Sequence, residues 1–188
     1  MGKLYECIDS RLTAWIEAQP VFFVATAPLA ADGRVNVSPR GVRGTFRVLD
    51  GHTFGYVDLT GSGIETVAHL RENGRICVMF CAFDGPPKIV RLHGAGSVVC
   101  RGEPGFDAAV EPFAAAIAIG AREPAARAVI KVKVHRISDA CGYGVPLLDL
   151  RTDRKLIDSW SANKGPDGLA RYRAERNVVS LDGLPGLA

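Results

Sequence analysis

Residues Thr53–Phe80 read TFGYVDLTGSGIETVAHLRENGRICVMF. A β-rich run from Thr53 to Leu59 stops at Thr60-Gly61-Ser62-Gly63, a short amphipathic helix follows, and a second β run starts at Arg75. The turn puts small, hydroxyl-rich backbone at a helix N-terminus, where unpaired N–H groups can take a phosphate. Ser62-x-x-Glu65 also fits a capping box, with Ser62 as cap and Glu65 reaching back to the cap's N–H. The segment therefore has two readings. It is a capped helix start, or the hydroxyls of Thr60, Ser62 and Thr66 bind an anion. It is not a Walker A loop, because the Gly-Lys-Ser/Thr ending is missing. It is not a dinucleotide fingerprint, because the glycine spacing and the parallel context fail.

Outward from this run the chain is mostly strands and tight turns. Leu4, Ile8, Leu12, Trp15 and Ile16 recur at helical spacing and predict a helix over Lys3 to Gln19, with Pro20 after its end. Val21 to Ala27 (VFFVATA) is a buried strand, and Ala31-Asp32-Gly33-Arg34 a hairpin turn. Arg34 to Ser38 alternates, and Pro39 implies an edge or a bulge. Further strands are expected at Thr45 to Leu49, Arg75 to Phe83, Ile89 to Cys100, and around Ile130 to Val134, the last half-exposed. Gly94 and Gly96 inside one strand suggest a bend or the close approach of another backbone. A helix is expected over Phe106 to Ala118, and short helical or irregular pieces over Lys155 to Ser161 and Pro166 to Glu175. The tail Ser180 to Ala188 reads as loop. At least six strands joined by hairpins predict a mainly β fold: an antiparallel sheet closed into a barrel, with peripheral helices.

Other residues carry candidate chemistry. In Ser38-Pro39-Arg40-Gly41-x-Arg43, two guanidinium forks flank a Pro/Gly break, which suits bidentate contact with phosphate or a solvated edge guarded by charge. Arg91 sits between apolar neighbours and needs an anion only if it faces inward. Trp160, in DSWSANKG, suits ring stacking or a subunit contact. Cys141 lies in a Gly/Pro-rich turn and reads as packing. The five cysteines are odd in number and widely spaced, so no disulfide framework is implied. The four histidines are dispersed with no paired metal-ligand spacing.

Composition bounds the rest. The chain has 188 residues, 47% hydrophobic and 23% charged, a globular balance that suits one domain. The net charge of +3 comes from scattered Lys and Arg, with no basic run of the kind that binds nucleic acid. No stretch has the length of a signal-peptide core or a membrane span, and Glu6 stands where a myristoylation motif needs Ser or Thr, so a cytoplasmic protein without membrane attachment is expected.

The order FFVATA, VNVSPRG, YVDLTGSGIETVAHLRENGRICVMF, IVRLHGAGSVV resembles the pyridoxamine 5′-phosphate oxidase-related flavin-binding family across about Leu12 to Val99. The C-terminal Trp160 region and NVVSLDGLPG look like one of its uncharacterised branches. The resemblance implies a single FMN-binding split-barrel domain over residues 1–188, with a barrel core at about 20–137 and a C-terminal extension at about 138–188. It implies a homodimer with FMN at the subunit interface and an oxidoreductase acting on a small molecule. By position, Ser38, Arg40, Gly41, Arg43, Ser62 and Thr66 would hold phosphate or ribityl. Val57, Asp58 and Thr60 would line ring or ribityl, and Trp160 would touch the ring or the partner chain. The oxidase proper has an Arg-Lys pair at the helix start, where this chain has Glu65-Thr66. The charge must then come from Arg40 or Arg43, and pyridoxamine phosphate is not the implied substrate. The same fold also hosts deazaflavin reductases and non-catalytic flavin or haem modules.

Overall fold

Period-2 burial along β2 (Phe22–Thr26) fixes which face of the sheet is core: every second side chain, Phe22, Val24 and Thr26, is buried. In β5 (Thr53–Leu59), Phe54, Tyr56 and Asp58 share one face while Gly55 and Val57 share the other, and both faces are covered. The computed structural model describes residues 2–187. Met1 of the expected domain and Ala188 at the end of the expected tail loop lie outside the described residues.

The remaining strands are β1 (Leu4–Tyr5), β3 (Asn36–Arg40), β4 (Phe46–Asp50), β6 (Arg75–Cys81), β7 (Ile89–Cys100) and β8 (Ala126–Ala140). They form one sheet in the order β3-β2-β6-β7-β8-β5-β4, with β1 pairing to β8. Every pairing is antiparallel. The sheet curls until Phe22 of β2 stands against Phe46 of β4 and Phe54 and Tyr56 of β5, with ring centroids 4.9, 5.5 and 5.4 Å away. The end strands β3 and β4 do not pair with each other. The architecture is the antiparallel split barrel with peripheral helices.

Local chemistry explains where elements stop. The expected N-terminal helix shortens to α1 (Ser10–Glu17), because the Asp9 carboxylate accepts from Leu12 N–H at 2.7 Å and caps it there. Leu4 and Tyr5 instead extend the sheet, opposite Ser138 and Ile137. Helix α2 (Glu65–Asn73) ends at Gly74, whose φ of 70° suits glycine. The expected helix over Phe106 to Ala118 breaks into α3 (Phe106–Val110), a 3₁₀ turn (Glu111–Phe113) and α4 (Ala114–Ile117), since Pro112 cannot continue an α-helical ladder. A short α5 (Arg122–Ala125) leads into β8. The two expected C-terminal pieces are halves of α6 (Leu156–Arg176), split at Gly165 with a φ of 64° next to Pro166.

Strand β3 is the edge that Pro39 implied, although Pro39 sits within the ladder opposite Phe23 and does not end it. Of the two glycines of β7, Gly94 meets another backbone as expected, at a register shift, whereas Gly96 makes room for a side chain of α2. A Cβ at Gly94 would lie 2.4 Å from the Lys133 carbonyl oxygen, and one at Gly96 would lie 2.6 Å from Leu70. The expected half-exposed strand at residues 130–134 is the middle of the 15-residue β8, whose first five residues are all buried. No helix among the described residues is long and apolar enough to cross a membrane.

Phe22 touches four other rings, so Phe22→Ala removes the hub of the barrel core. It is expected to cost about 3–5 kcal/mol in urea unfolding. A loss below about 1 kcal/mol would contradict this packing.

Candidate functional site

The barrel end between β3, β5 and β8 holds a buried charge cluster. Asp58 is fully buried, as the inward-facing end of β5. Opposite it, the β5–β8 register shifts: Asp58 pairs with Ala128 and Leu59 with Ala126, so Arg127 is the extra residue of a bulge. Bulges re-aim side chains. This one turns Arg127, only 2% exposed, onto Asp58, with Nε donating to Oδ2 at 2.8 Å. From the edge strand, Arg40 brings a terminal guanidinium nitrogen within 3.1 Å of Asp58 Oδ1. That contact is an ion pair without hydrogen-bond geometry, and Arg40 Nε has no hydrogen-bond partner among the described residues.

Burial alone would raise the Asp58 carboxyl, but Arg127 and Arg40 outweigh it and hold it below its ordinary value. Asp58 in turn raises Arg40 further. Two cations face one anion, so the cluster keeps one surplus positive charge. Tyr56, buried beside it, has its hydroxyl pushed upward, first by burial.

Most of Arg127's donors are used inside the protein. One terminal nitrogen donates to Gly61 O at 3.0 Å and to Asn177 Oδ1 at 2.9 Å, and the other donates to Gly63 O at 2.6 Å. Asn177 Nδ2 donates to Gly61 O at 2.9 Å, with Ser62 O at 3.4 Å. Carbonyl and N–H point oppositely across a trans peptide. Fixing the carbonyls of Gly61, Ser62 and Gly63 therefore turns the N–H groups of Ser62, Gly63 and Ile64 away from Arg127. Nothing among the described residues accepts from those three. The expected capping box does not form: the helix begins two residues later than a Ser62 cap requires, Ile64 is its N-cap, and no side chain caps it. Arg127 and Asn177 already organise the turn from behind.

A cavity of about 350 Å³ opens here, lined by Ser38, Arg40, Ser62, Thr66, Glu65 and Arg127, among others. A polar chain runs from its floor into the core. Ser38 Oγ donates to Asn36 Oδ1 at 3.0 Å. Asn36 Nδ2 donates to Thr66 Oγ1 at 3.0 Å and Thr26 Oγ1 at 3.1 Å, and Thr26 meets the buried His69 Nδ1 at 3.0 Å.

Four expected site residues, Ser38, Arg40, Ser62 and Thr66, thus share one cavity, with Asp58 behind Arg40 as a buried counter-charge. The others lie elsewhere. Val57 faces away from Asp58 by strand alternation and is buried against Phe113 and Val129 under the short helices. Thr60 is buried, donating to Ala125 O at 2.8 Å. Gly41 and Arg43 line a separate, larger groove of about 1430 Å³, where Arg43 is exposed and pairs with Asp153 at 2.9 Å. Size favours that groove. Chemistry favours the smaller cavity, where the buried Arg40–Asp58–Arg127 cluster meets the free N–H groups of Ser62, Gly63 and Ile64, with the Glu65 carboxylate also on its wall. Trp160 packs edge-on to Tyr172 at 5.1 Å, with Lys164 over both rings. Sequence reasoning missed Arg127, Asn36 and Asn177. Arg127 carried a signal, a lone cation in the apolar run AARAVI; the two asparagines carried none.

The family model for pyridoxamine 5′-phosphate oxidase matches residues 8–141. The chain belongs to the pyridoxamine 5′-phosphate oxidase family. A family protein of Aspergillus flavus named ustO is 40% identical over 204 residues, covering 100% of this chain and 78% of that protein. Among solved structures, HupZ of Group A Streptococcus superposes with a TM-score of 0.55 at 23% identity, over 76% of this chain and 99% of HupZ. A protein of Syntrophomonas wolfei described as FMN-binding superposes at 0.50 with 14% identity, over 70% of this chain and 83% of that one. Both share the family's fold. The family match ends before α6, so Asn177 comes from outside it.

Asp58→Asn leaves Arg127 buried without its counter-charge and is expected to cost about 3–5 kcal/mol at neutral pH. Because the folded-state value of Asp58 is depressed, its contribution is complete above about pH 4 and falls away as pH drops through that folded value. Denaturant unfolding of both proteins should therefore show a gap that is constant at neutral pH and narrows below about pH 4. A gap independent of pH would show that Asp58 is not charged in the fold.

Proposed function

We propose that this family member binds FMN and works as a flavin-dependent oxidoreductase, with the FMN phosphate in the cavity between β3 and the start of α2. The carrying observation is the surplus positive charge of Arg40, Asp58 and Arg127, with Arg40 Nε left as a buried donor without an acceptor. A phosphate oxygen supplies what that atom lacks.

The cavity also has polarity. Thr66 Oγ1 accepts from Asn36 and keeps its own O–H to donate to an anion. Ser38 spends its proton on Asn36 and offers lone pairs, which suits a ribityl hydroxyl. At about 350 Å³ the cavity is at the small end of ligand pockets, roughly 300–1,000 Å³, and suits the phosphate end while the ring lies beyond the rim. Bound flavin would supply the redox chemistry, and the residues named here bind and orient it.

A second copy of the chain fits as partner at the outer face of β2, β3 and β6. There Phe23, Ala25, Cys77 and Met79, half-buried, stand in register beside exposed Val37 and Pro39. This largely apolar face supports a homodimer with the cofactor near its interface. Sedimentation equilibrium should return twice the chain mass of 20.1 kDa, and a clean monomer would remove the interface.

Flavin fluorescence titration tests the cofactor. Wild-type protein should bind FMN more tightly than riboflavin, which lacks the phosphate. Arg40→Ala should weaken FMN by about 1.5–3 kcal/mol, the scale of a charged hydrogen bond, and leave riboflavin unchanged. Glu65→Gln removes a carboxylate from the cavity wall and should tighten FMN roughly fivefold, about 1 kcal/mol, the energy of two unit charges some 4 Å apart in water. Equal affinity of the wild type for FMN and riboflavin would sink the phosphate placement.

A further inference from the structure

We infer that Asn177, from the C-terminal segment beyond the family match, is a positioning residue for phosphate recognition. It holds the turn Gly61–Gly63 so that three successive backbone N–H groups stay presented to an anion. This rests on the placement of a phosphate in the cavity at the start of α2.

Asn177 is fully buried and divides its amide between two jobs. Its oxygen accepts from Arg127 at 2.9 Å, and its nitrogen donates to Gly61 O at 2.9 Å. Arg127 takes Gly63 O at 2.6 Å from the same side. A turn containing Gly61 and Gly63 has more backbone freedom than one without glycine, so without these bonds it samples many conformers. With them, its carbonyls face inward and the N–H groups of Ser62, Gly63 and Ile64 face the other way, toward the exposed rim formed by Ser62 and Gly63. Successive N–H groups that share a direction make an anion-binding concavity. The helix start carries Glu65 and Thr66 and no cation, so backbone N–H groups are the main donors it can offer an anion.

Asn177 is itself fastened. Its N–H closes the end of α6 onto Arg173 O at 2.9 Å, and its carbonyl accepts from Leu187 N–H at 2.7 Å. Arg173 reaches Thr60 Oγ1 and Pro124 O, both at 3.1 Å. Farther along, Asp182 accepts from Arg34 N–H at 2.7 Å, and Gly186 O accepts from Arg71. The tail thus clasps α2 and the β2–β3 loop, and the clasp sets where the Asn177 amide stands.

Two variants separate a positioning role from a structural one. Asn177→Asp keeps an acceptor for Arg127 but removes the donor to Gly61 O and Ser62 O, whereas Asn177→Ala removes both. Each should reduce FMN affinity about tenfold or more and leave riboflavin affinity within about twofold, the retained riboflavin binding showing that the barrel is still folded. In the wild-type protein, amide NMR during addition of inorganic phosphate should move the resonances of Ser62, Gly63 and Ile64 together. Selectivity for FMN over riboflavin retained in Asn177→Asp would overturn the inference, as would equal losses for both ligands or the three amides staying still under phosphate. Wild-type protein that binds neither flavin, but whose three amides still respond to inorganic phosphate, would remove the flavin reading and leave the positioning role standing.

Discussion

Asp58 is the constraint around which this barrel end is organised. A carboxylate with no exposed surface must have cations beside it, and the fold brings them from opposite directions. Arg127 comes from the neighbouring strand, through a bulge that turns it inward, and Arg40 comes from the edge strand at the far end of the sheet order. Strands β3 and β4 share no ladder, so the sheet alone does not close this end of the barrel. The Arg40–Asp58 pair and the aromatic contacts of Phe22 bridge the split instead. The pair is specific in direction where the aromatic packing is not, because a charge left unpaired in the interior costs far more than a displaced ring.

The same cluster links the fold to the proposed phosphate site. Arg127 commits four of its N–H groups to Asp58, Asn177, Gly61 and Gly63, so it acts as a bracket that shapes the turn and adds charge to the cavity, and does not itself grip. Arg40 is the cation with a donor to spare. That division answers the question raised by Glu65 at the helix start: the positive charge lies below and across the cavity, and the helix contributes backbone N–H groups and the Thr66 hydroxyl. Thr66 and Ser38 are poised by Asn36, whose amide links both to Thr26 and His69 in the core.

Local signals in the chain were strong enough to place β5, α2, β6 and β7 with little error, because each follows one period without conflict. They were weaker where two signals competed. Helical spacing over residues 3–19 was overridden by the Asp9 cap and by the sheet edge that took Leu4 and Tyr5. A helical stretch from Phe106 onward gave way at Pro112. The Ser62–Glu65 spacing matched a capping box, yet long-range bonds from Arg127 and Asn177 set the turn differently. Ser38, Arg40, Ser62 and Thr66, which share one cavity, were legible as candidates because they lie at breaks in β pattern beside hydroxyls or cations. Arg43, only three residues from Arg40, faces another groove, since beyond the end of β3 strand alternation no longer fixes direction.

The sequence by itself determined the class of the fold, the antiparallel character of its sheet, and the positions of most strands and turns. These rest on local periodicity and turn chemistry, which each segment carries alone. Tertiary structure decided that Asp58 is a buried counter-charge and not a lining residue, that Arg127 stands inside the barrel end, and that a C-terminal asparagine shapes the turn at Gly61. Each depends on a register shift or on a contact between residues more than 45 apart in the chain, and the energy that selects it comes from satisfying buried charge and buried carbonyls.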